Sequence, residues 1–236
     1  MKRLLSISTA LATAAVAVPA SAQVSGIGVA EPAIVVAGSA ALNGAYQQIT
    51  TMYQAQRTQL DQLDQQRVNL LKPFDTNNDG QLNDAEQKAM KANAATSKQL
   101  DTIEQQMNQL QQPINLAAVY AVSQIAQQLG TAVQQVVSQG GVQLILPSDG
   151  VLYRADAADL NQKITTALNA RLPQVSVTPP AGWQPDQQTV QLFQEVQQVR
   201  IQAAALQQQQ QQRGAAATPA PAPAGKPAGN APVKGR

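Results

Sequence analysis

A chain of 236 residues with 16 basic and 14 acidic side chains has a formal charge of only +2, too little to draw it to nucleic acid or to an anionic membrane. It has no cysteine and no histidine, which excludes disulfide staples, thiolate or imidazole zinc sites and every triad that needs either residue. Aromatic residues make up 3%, too few for an ordinary globular core, while Ala, Gln, Leu and Val abound, so the composition calls for elongated helices and not for an enzyme; no catalytic or cofactor-binding residue is assigned.

Met1-Lys2-Arg3 is basic, and Leu4 to Val18 is apolar but too short for a membrane helix. The segment reads as a signal peptide over 1–22, with Ala20-Ser21-Ala22 as the small residues at the cleavage point and Gln23 as the new N-terminus. Removing Lys2 and Arg3 balances the remaining charges, and no later segment reads as a membrane span.

Ile27–Ala30 is β-branched and apolar and predicts a strand, with a helix soon after Glu31-Pro32. From Leu42 the apolar residues step by four and three. Positions 46, 53, 60 and 67 form one rail of a coiled-coil seam and 42, 49, 56, 63 and 70 the other, with Gln56 and Arg67 as the only breaks. The flanks are mostly Gln with some Asp and Arg, so the helix buries one narrow seam, as an arm does. Lys72-Pro73-Phe74 ends it. A second long helix is predicted from near Asp84, through Leu100, Ile103, Met107, Leu110 and Ile114, kinked at Pro113 and continuing in a shifted phase through Val122, Ile125, Leu129, Val133 and Val136. The two fold back as an antiparallel hairpin whose first arm is ~45–50 Å long at 1.5 Å per residue. Gly140-Gly141 stops the return helix. Val142–Leu146 then predicts a strand, Pro147-Ser148-Asp149-Gly150 a turn, and Val151–Tyr153 a second strand, making a small β-hairpin. Asp156 or Asp159 would cap a last amphipathic helix through Leu160, Ile164, Leu168 and Leu172 that stops at Pro173. Beyond lie Trp183 between prolines, for which local packing is the expected role, a Gln-rich helix through Val190, Phe193, Val196 and Val199, and an Ala/Pro-rich tail that cannot pack a core.

The chemistry sits where the hairpin turns. Residues 75–86 match an EF-hand loop position by position: Asp75, Asn77 and Asp79 at the first, third and fifth places, and Gly80 at the sharp turn. Gln81 follows with a backbone carbonyl, Leu82 as an apolar anchor, Asn83 acting through a water, and Glu86 as a bidentate carboxylate. Calcium takes such oxygen donors and would offset the charge of Asp75, Asp79, Asp84 and Glu86. Asn, Asp and Gly also form turns without metal, but a plain turn requires neither Leu82 nor Glu86. With Pro73 before it and no second EF-hand to pair with, the loop reads as a clip that orders the tip and not as a sensor.

The order of strand, helical hairpin, strands and closing helix resembles the OmpH-like (Skp) family of periplasmic chaperones. The likeness is carried by Ile27-Gly28-Val29-Ala30 leading into a helix, by Gly141-Val142-Gln143-Leu144-Ile145-Leu146-Pro147-Ser148-Asp149-Gly150-Val151-Leu152-Tyr153, and by Asp159-Leu160-Asn161-Gln162-Lys163-Ile164, and it covers about Ile27 to Pro173. The resemblance implies a predominantly α, α+β fold: a coiled-coil arm at 42–139 on a small β-strand base at 27–40 and 140–173, within a domain of residues 23–173 that assembles as a homotrimer. It further implies a periplasmic location and ATP-independent holding of unfolded outer-membrane proteins between the arms. Family arms are strongly basic, whereas residues 42–138 here carry six basic and eight acidic residues, which favours weak apolar contact by Met90, Ala92, Ala94 and Ala95. The tip loop, a Gln-rich helical extension at 174–213 and a disordered tail at 214–236 are additions to the family pattern. The competing readings are a calcium-dependent binding or buffering module and a coiled-coil spacer of the cell envelope.

Overall fold

A computed structural model describes residues 26–216 of the chain; the expected signal peptide and the tail beyond Ala216 lie outside the described residues. Ile27–Val29 forms β1, and Pro32 then opens the short helix α1, Pro32–Ala37, at a position where its missing N–H costs no bond. Ser39 caps α2, Ala40–Met52, by accepting from the Leu42 N–H at 3.2 Å, while its own hydroxyl donates to the Val36 carbonyl at 2.8 Å. After a non-helical Tyr53 the chain continues as α3, Gln54–Leu71, and turns through residues 72–83 into α4, Asp84–Ala92. Asn93 breaks the return arm and caps α5, Ala94–Gly140, which closes on Gly141 in the left-handed conformation at φ 61°.

The seam expected from Leu42 to Leu70 is the face that packs. Leu42 and Ile49 are buried, and Tyr46, Tyr53, Gln56, Leu60, Leu63, Arg67 and Leu70 are half-buried, while the flanking positions of α3 are mostly exposed. On α5 the buried residues include Leu100, Ile103, Ile114, Val122, Ile125 and Val136 from the two phases read on either side of Pro113, which sits inside the helix without ending it, together with Val119, Ser123 and several alanines. No residue of α3 is fully buried, so the arm is held by a thin seam, whereas α2 and the later half of α5 share the core with Val35, Val36, Ile164 and Leu168.

The base differs from the expected β-hairpin. Only Leu144–Leu146 is a strand, β2, and it runs parallel to β1 in the register Ile27 to Leu144 and Val29 to Leu146. Residues Ser148–Gly150 form a 3₁₀ turn, and Val151–Tyr153 is not a strand, leaving Leu152 and Tyr153 fully exposed. The place beside β1 that a further strand would take is filled by Asp159, bridged to Val29, and by Leu160, whose N–H donates to the Val29 carbonyl at 2.9 Å. Gly28 makes this approach possible, because a Cβ there would lie 2.2 Å from Leu160 Cδ1. Among the described residues the base thus has two strands and not three.

A 3₁₀ turn at Asp156–Ala158 leads to α6, Asn161–Arg171, whose N-cap is Leu160 with no side-chain cap; Asp159, expected as a cap, lies one residue earlier and accepts from the Asn161 N–H at 2.9 Å. The Asn161 side chain accepts from the Glu31 N–H at 2.8 Å, and the Glu31 carboxylate accepts from the Ser148 N–H, so both ends of the base are tied together. Residues 172–186 cross the outside of α5 into α7, Gln187–Ala216, which packs against α1 and α5. Val196 of α7 is fully buried in the common core.

Candidate functional site

The arm tip begins where α3 runs out at Lys72-Pro73 and the Phe74 N–H closes a turn on the Leu71 carbonyl at 2.9 Å. From there the loop is organised by its own side chains. The Gly80 N–H donates to Asp75 Oδ2 at 2.9 Å, the Asp79 N–H to Asn77 Oδ1 at 3.1 Å, and the Gln81 N–H to Asp79 Oδ1 at 2.8 Å. Asn78 and Gly80 adopt positive φ, 55° and 79°, conformations that Asn and Gly adopt at least cost. This wrapping of N–H groups around Asp75 and Asp79 is what the polar residues of the loop were expected to permit.

Glu86 closes the loop from α4. Its Oε1 accepts from both the Thr76 N–H at 2.8 Å and the Thr76 hydroxyl at 2.6 Å, and its Oε2 accepts from the Asn83 N–H at 3.0 Å. Asn83 in turn accepts from the N–H groups of Ala85 and Glu86, completing a reciprocal capping box. Glu86 is 5% exposed, and the Thr76 hydroxyl, followed by the Asn83 N–H, holds its pKa below the ordinary carboxylate value. Sequence reading assigned Glu86 to metal alone and missed its work as a cap, although Asn83 followed three places later by Glu is the spacing that marks one.

All six proposed donors therefore lie on one short loop: Asp75, Asn77, Asp79, Gln81, Asn83 and Glu86. Asp79 and Glu86 spend their oxygens on hydrogen bonds, and among the described residues no three acidic side chains converge as a metal-holding group. One atom stands apart: Asp75 Oδ1 is buried and has no hydrogen-bond partner. An unpaired buried carboxylate oxygen is costly, and an all-oxygen donor set beside it suits a hard cation.

Below the tip, α3 and α5 leave a shallow groove of about 780 Å³ lined by Asn69, Leu70, Lys98, Thr102 and Ile103. Met90 is half-buried, and Ala92, Ala94 and Ala95 are exposed on the return arm. Among the described residues no helix is long and apolar enough to cross a membrane.

The arm and the two-strand base are the parts that related chains share. A sequence model of the family described as outer membrane protein (OmpH-like) matches residues 26–168, from the start of β1 into α6. The chain belongs to the OmpH-like family. The match takes in the hairpin with its tip and stops before the crossing segment and α7. A solved structure of an OmpH-like protein from Caulobacter crescentus CB15, described as a candidate outer membrane chaperone, is 21% identical over 64% of this chain and 88% of that chain, with a TM-score of 0.35. None of the curated proteins compared matches this chain.

Proposed function

We propose that this chain is an ATP-independent periplasmic holdase that keeps unfolded outer-membrane proteins soluble between helical arms. The observation that carries the reading is a thin-seamed hairpin, standing on a small base, within an OmpH-like chain. A homotrimer is the proposed working form. A two-strand sheet is too small to stand alone, and Ile27, Leu144, Leu152 and Tyr153 leave apolar surface on the base for further copies to cover. Client contact is weak and mainly apolar, because the arms carry nearly balanced charge. The test is sedimentation of the purified protein together with an aggregation assay on an unfolded β-barrel protein. The expected result is a trimer that suppresses aggregation without nucleotide. A monomer that leaves the client to aggregate as in buffer would overturn the proposal.

The unpaired Asp75 Oδ1 favours an added role for calcium, held by Asp75, Asn77, Asp79, the Gln81 carbonyl, Asn83 through a water, and Glu86. Binding requires Glu86 to exchange its bonds to Thr76 for the ion, so the clip orders the tip and its affinity is modest. Calorimetric titration should show one site per chain, lost in Glu86→Ala. Absence of heat at millimolar calcium would rule the site out while leaving the holdase proposal standing.

A further inference from the structure

The segment beyond the family match does not hang free: it grips both helices of the arm, and only at the root. On α5, Gln124 makes two bonds to the backbone of Ser176, donating to its carbonyl at 2.8 Å and accepting from its N–H at 3.1 Å. Four residues away, Tyr120 meets Trp183 edge to face with ring centroids 4.9 Å apart. On α2, the Tyr46 hydroxyl accepts from Gln197 at 2.5 Å, Arg200 covers the Tyr46 ring at 4.1 Å, and a longer contact of 3.4 Å joins Arg200 to Asn43. Val175, Val177 and Val196 bury their side chains beneath these contacts. Among the described residues, every side-chain hydrogen bond from 173–216 to an arm helix falls on Asn43, Tyr46 or Gln124.

Tipward of Tyr46 on α2 and of Tyr120 on α5, each arm helix has an irregular point, although α5 runs on through its own. Tyr53 takes φ −106° and ψ 25° between α2 and α3, and Pro113 in α5 has no N–H to give to its own ladder. The facing residues along the arm give the register between the two helices. Leu63 and Gln66 face Gln106 and Leu110, and Leu70 faces Gln99 and Ile103. Continued toward the base, this antiparallel register places Tyr53 and Pro113 about two helical turns apart along the arm, with Tyr53 nearer the base. Tyr53 departs from helical geometry while keeping its own bonds to Ile49 and from Arg57, and Pro113 leaves one ladder bond unmade; proline inside a helix is a common point of bending.

We infer that the C-terminal segment 173–200 is a brace that reinforces the arm root on the base and confines arm bending to the stretch between Tyr53 and Pro113. Without the segment the root would be held to the base only by its shared core with α1 and α6. With the root clamped from both sides, the arm tipward of that stretch moves as one body. The device sets how far the arm tips spread, and its test does not depend on client binding or on calcium.

The chain has no cysteine, so pairs introduced for spin labels report cleanly. In the full chain, diluted with unlabelled copies, one pair joins base to root, Gln162→Cys with Gln48→Cys, and another joins base to tip, Gln162→Cys with Lys88→Cys; all three positions are exposed. The expected result is a narrow base-to-root distance distribution and a wider base-to-tip one. Tyr46→Phe combined with Gln124→Ala should broaden the base-to-root distribution, whereas Pro113→Ala should narrow base-to-tip and leave base-to-root unchanged. If the double variant does not fold, judged by circular dichroism, Tyr46→Phe alone removes only the hydroxyl contact and should give a smaller broadening. An unchanged base-to-root distribution in the folded brace variants, or a base-to-tip distribution no wider than base-to-root in the parent, would overturn the inference.

Discussion

Arg200 of α7 lies 4.1 Å from the ring centroid of Tyr46 of α2, joining the C-terminal segment to the first arm helix by a cation–π contact. Burial pushes the Tyr46 phenol above its ordinary pKa of 10.0, against the opposing pull of Arg200 and of the bond from Gln197. A raised folded pKa means that the fold favours the neutral phenol. Its contribution is therefore intact below the unfolded value and is lost as pH rises through the folded one. Arg200→Ala should move the Tyr46 titration further up, read by NMR with labelled tyrosine, and cost about 0.5–1 kcal/mol in urea unfolding.

Glu86 titrates in the opposite sense. Its folded pKa lies below the ordinary 4.5, first because of the Thr76 hydroxyl and then because of the Asn83 N–H. The order it imposes on the tip is present above the unfolded pKa and is lost as pH falls through the folded value. Thr76→Val keeps the backbone N–H but removes the hydroxyl, and carboxylate NMR should show the Glu86 pKa rising toward the ordinary value. No movement would mean that the 2.6 Å bond contributes little in solution.

Along α7 the cost of truncating a side chain should fall sharply within five residues. Val196 is fully buried, so Val196→Ala should cost about 2 kcal/mol in chemical unfolding. Ile201 is 61% exposed, and Ile201→Ala should stay within about 0.5 kcal/mol. Equal effects at the two positions would show that α7 is not packed on the body.

Gly28 faces Leu160 with no room for a Cβ, so Gly28→Ala should destabilise the base by about 1–3 kcal/mol. Because the clash is with the end of one side chain, Leu160→Ala should absorb part of that penalty, and the double variant should lose less than the sum of the singles. Thermal unfolding of the four proteins completes the cycle.

Much of the arm was legible because its signal is local and periodic. The seam through Leu42, Tyr46, Ile49, Tyr53, Leu60, Leu63 and Leu70, its counterpart on α5, and the stop at Gly141 all follow from residue spacing that a helix must obey. The break at Asn93 escaped notice because the apolar pattern there is sparse, although Asn is a strong cap. In the tip loop, residue types and spacing pointed to an EF-hand loop of oxygen donors, but the allocation of Glu86 between capping and metal depends on distances that spacing does not express.

By itself the sequence determined the helices, their phases and the polar loop between them, since each depends on neighbours three, four or seven places away. Which strands pair, and what the C-terminal segment does, was decided only in three dimensions. The apolar run Val151–Tyr153 has the composition of a strand, yet β2 pairs instead with the distant β1, whose other edge is taken by Asp159 and Leu160. Pairing is a competition for backbone partners, and no local pattern records who wins it. The grip of Ser176, Trp183, Gln197 and Arg200 on the arm root is equally silent in the sequence, because it joins residues far apart in the chain through single contacts that have no period.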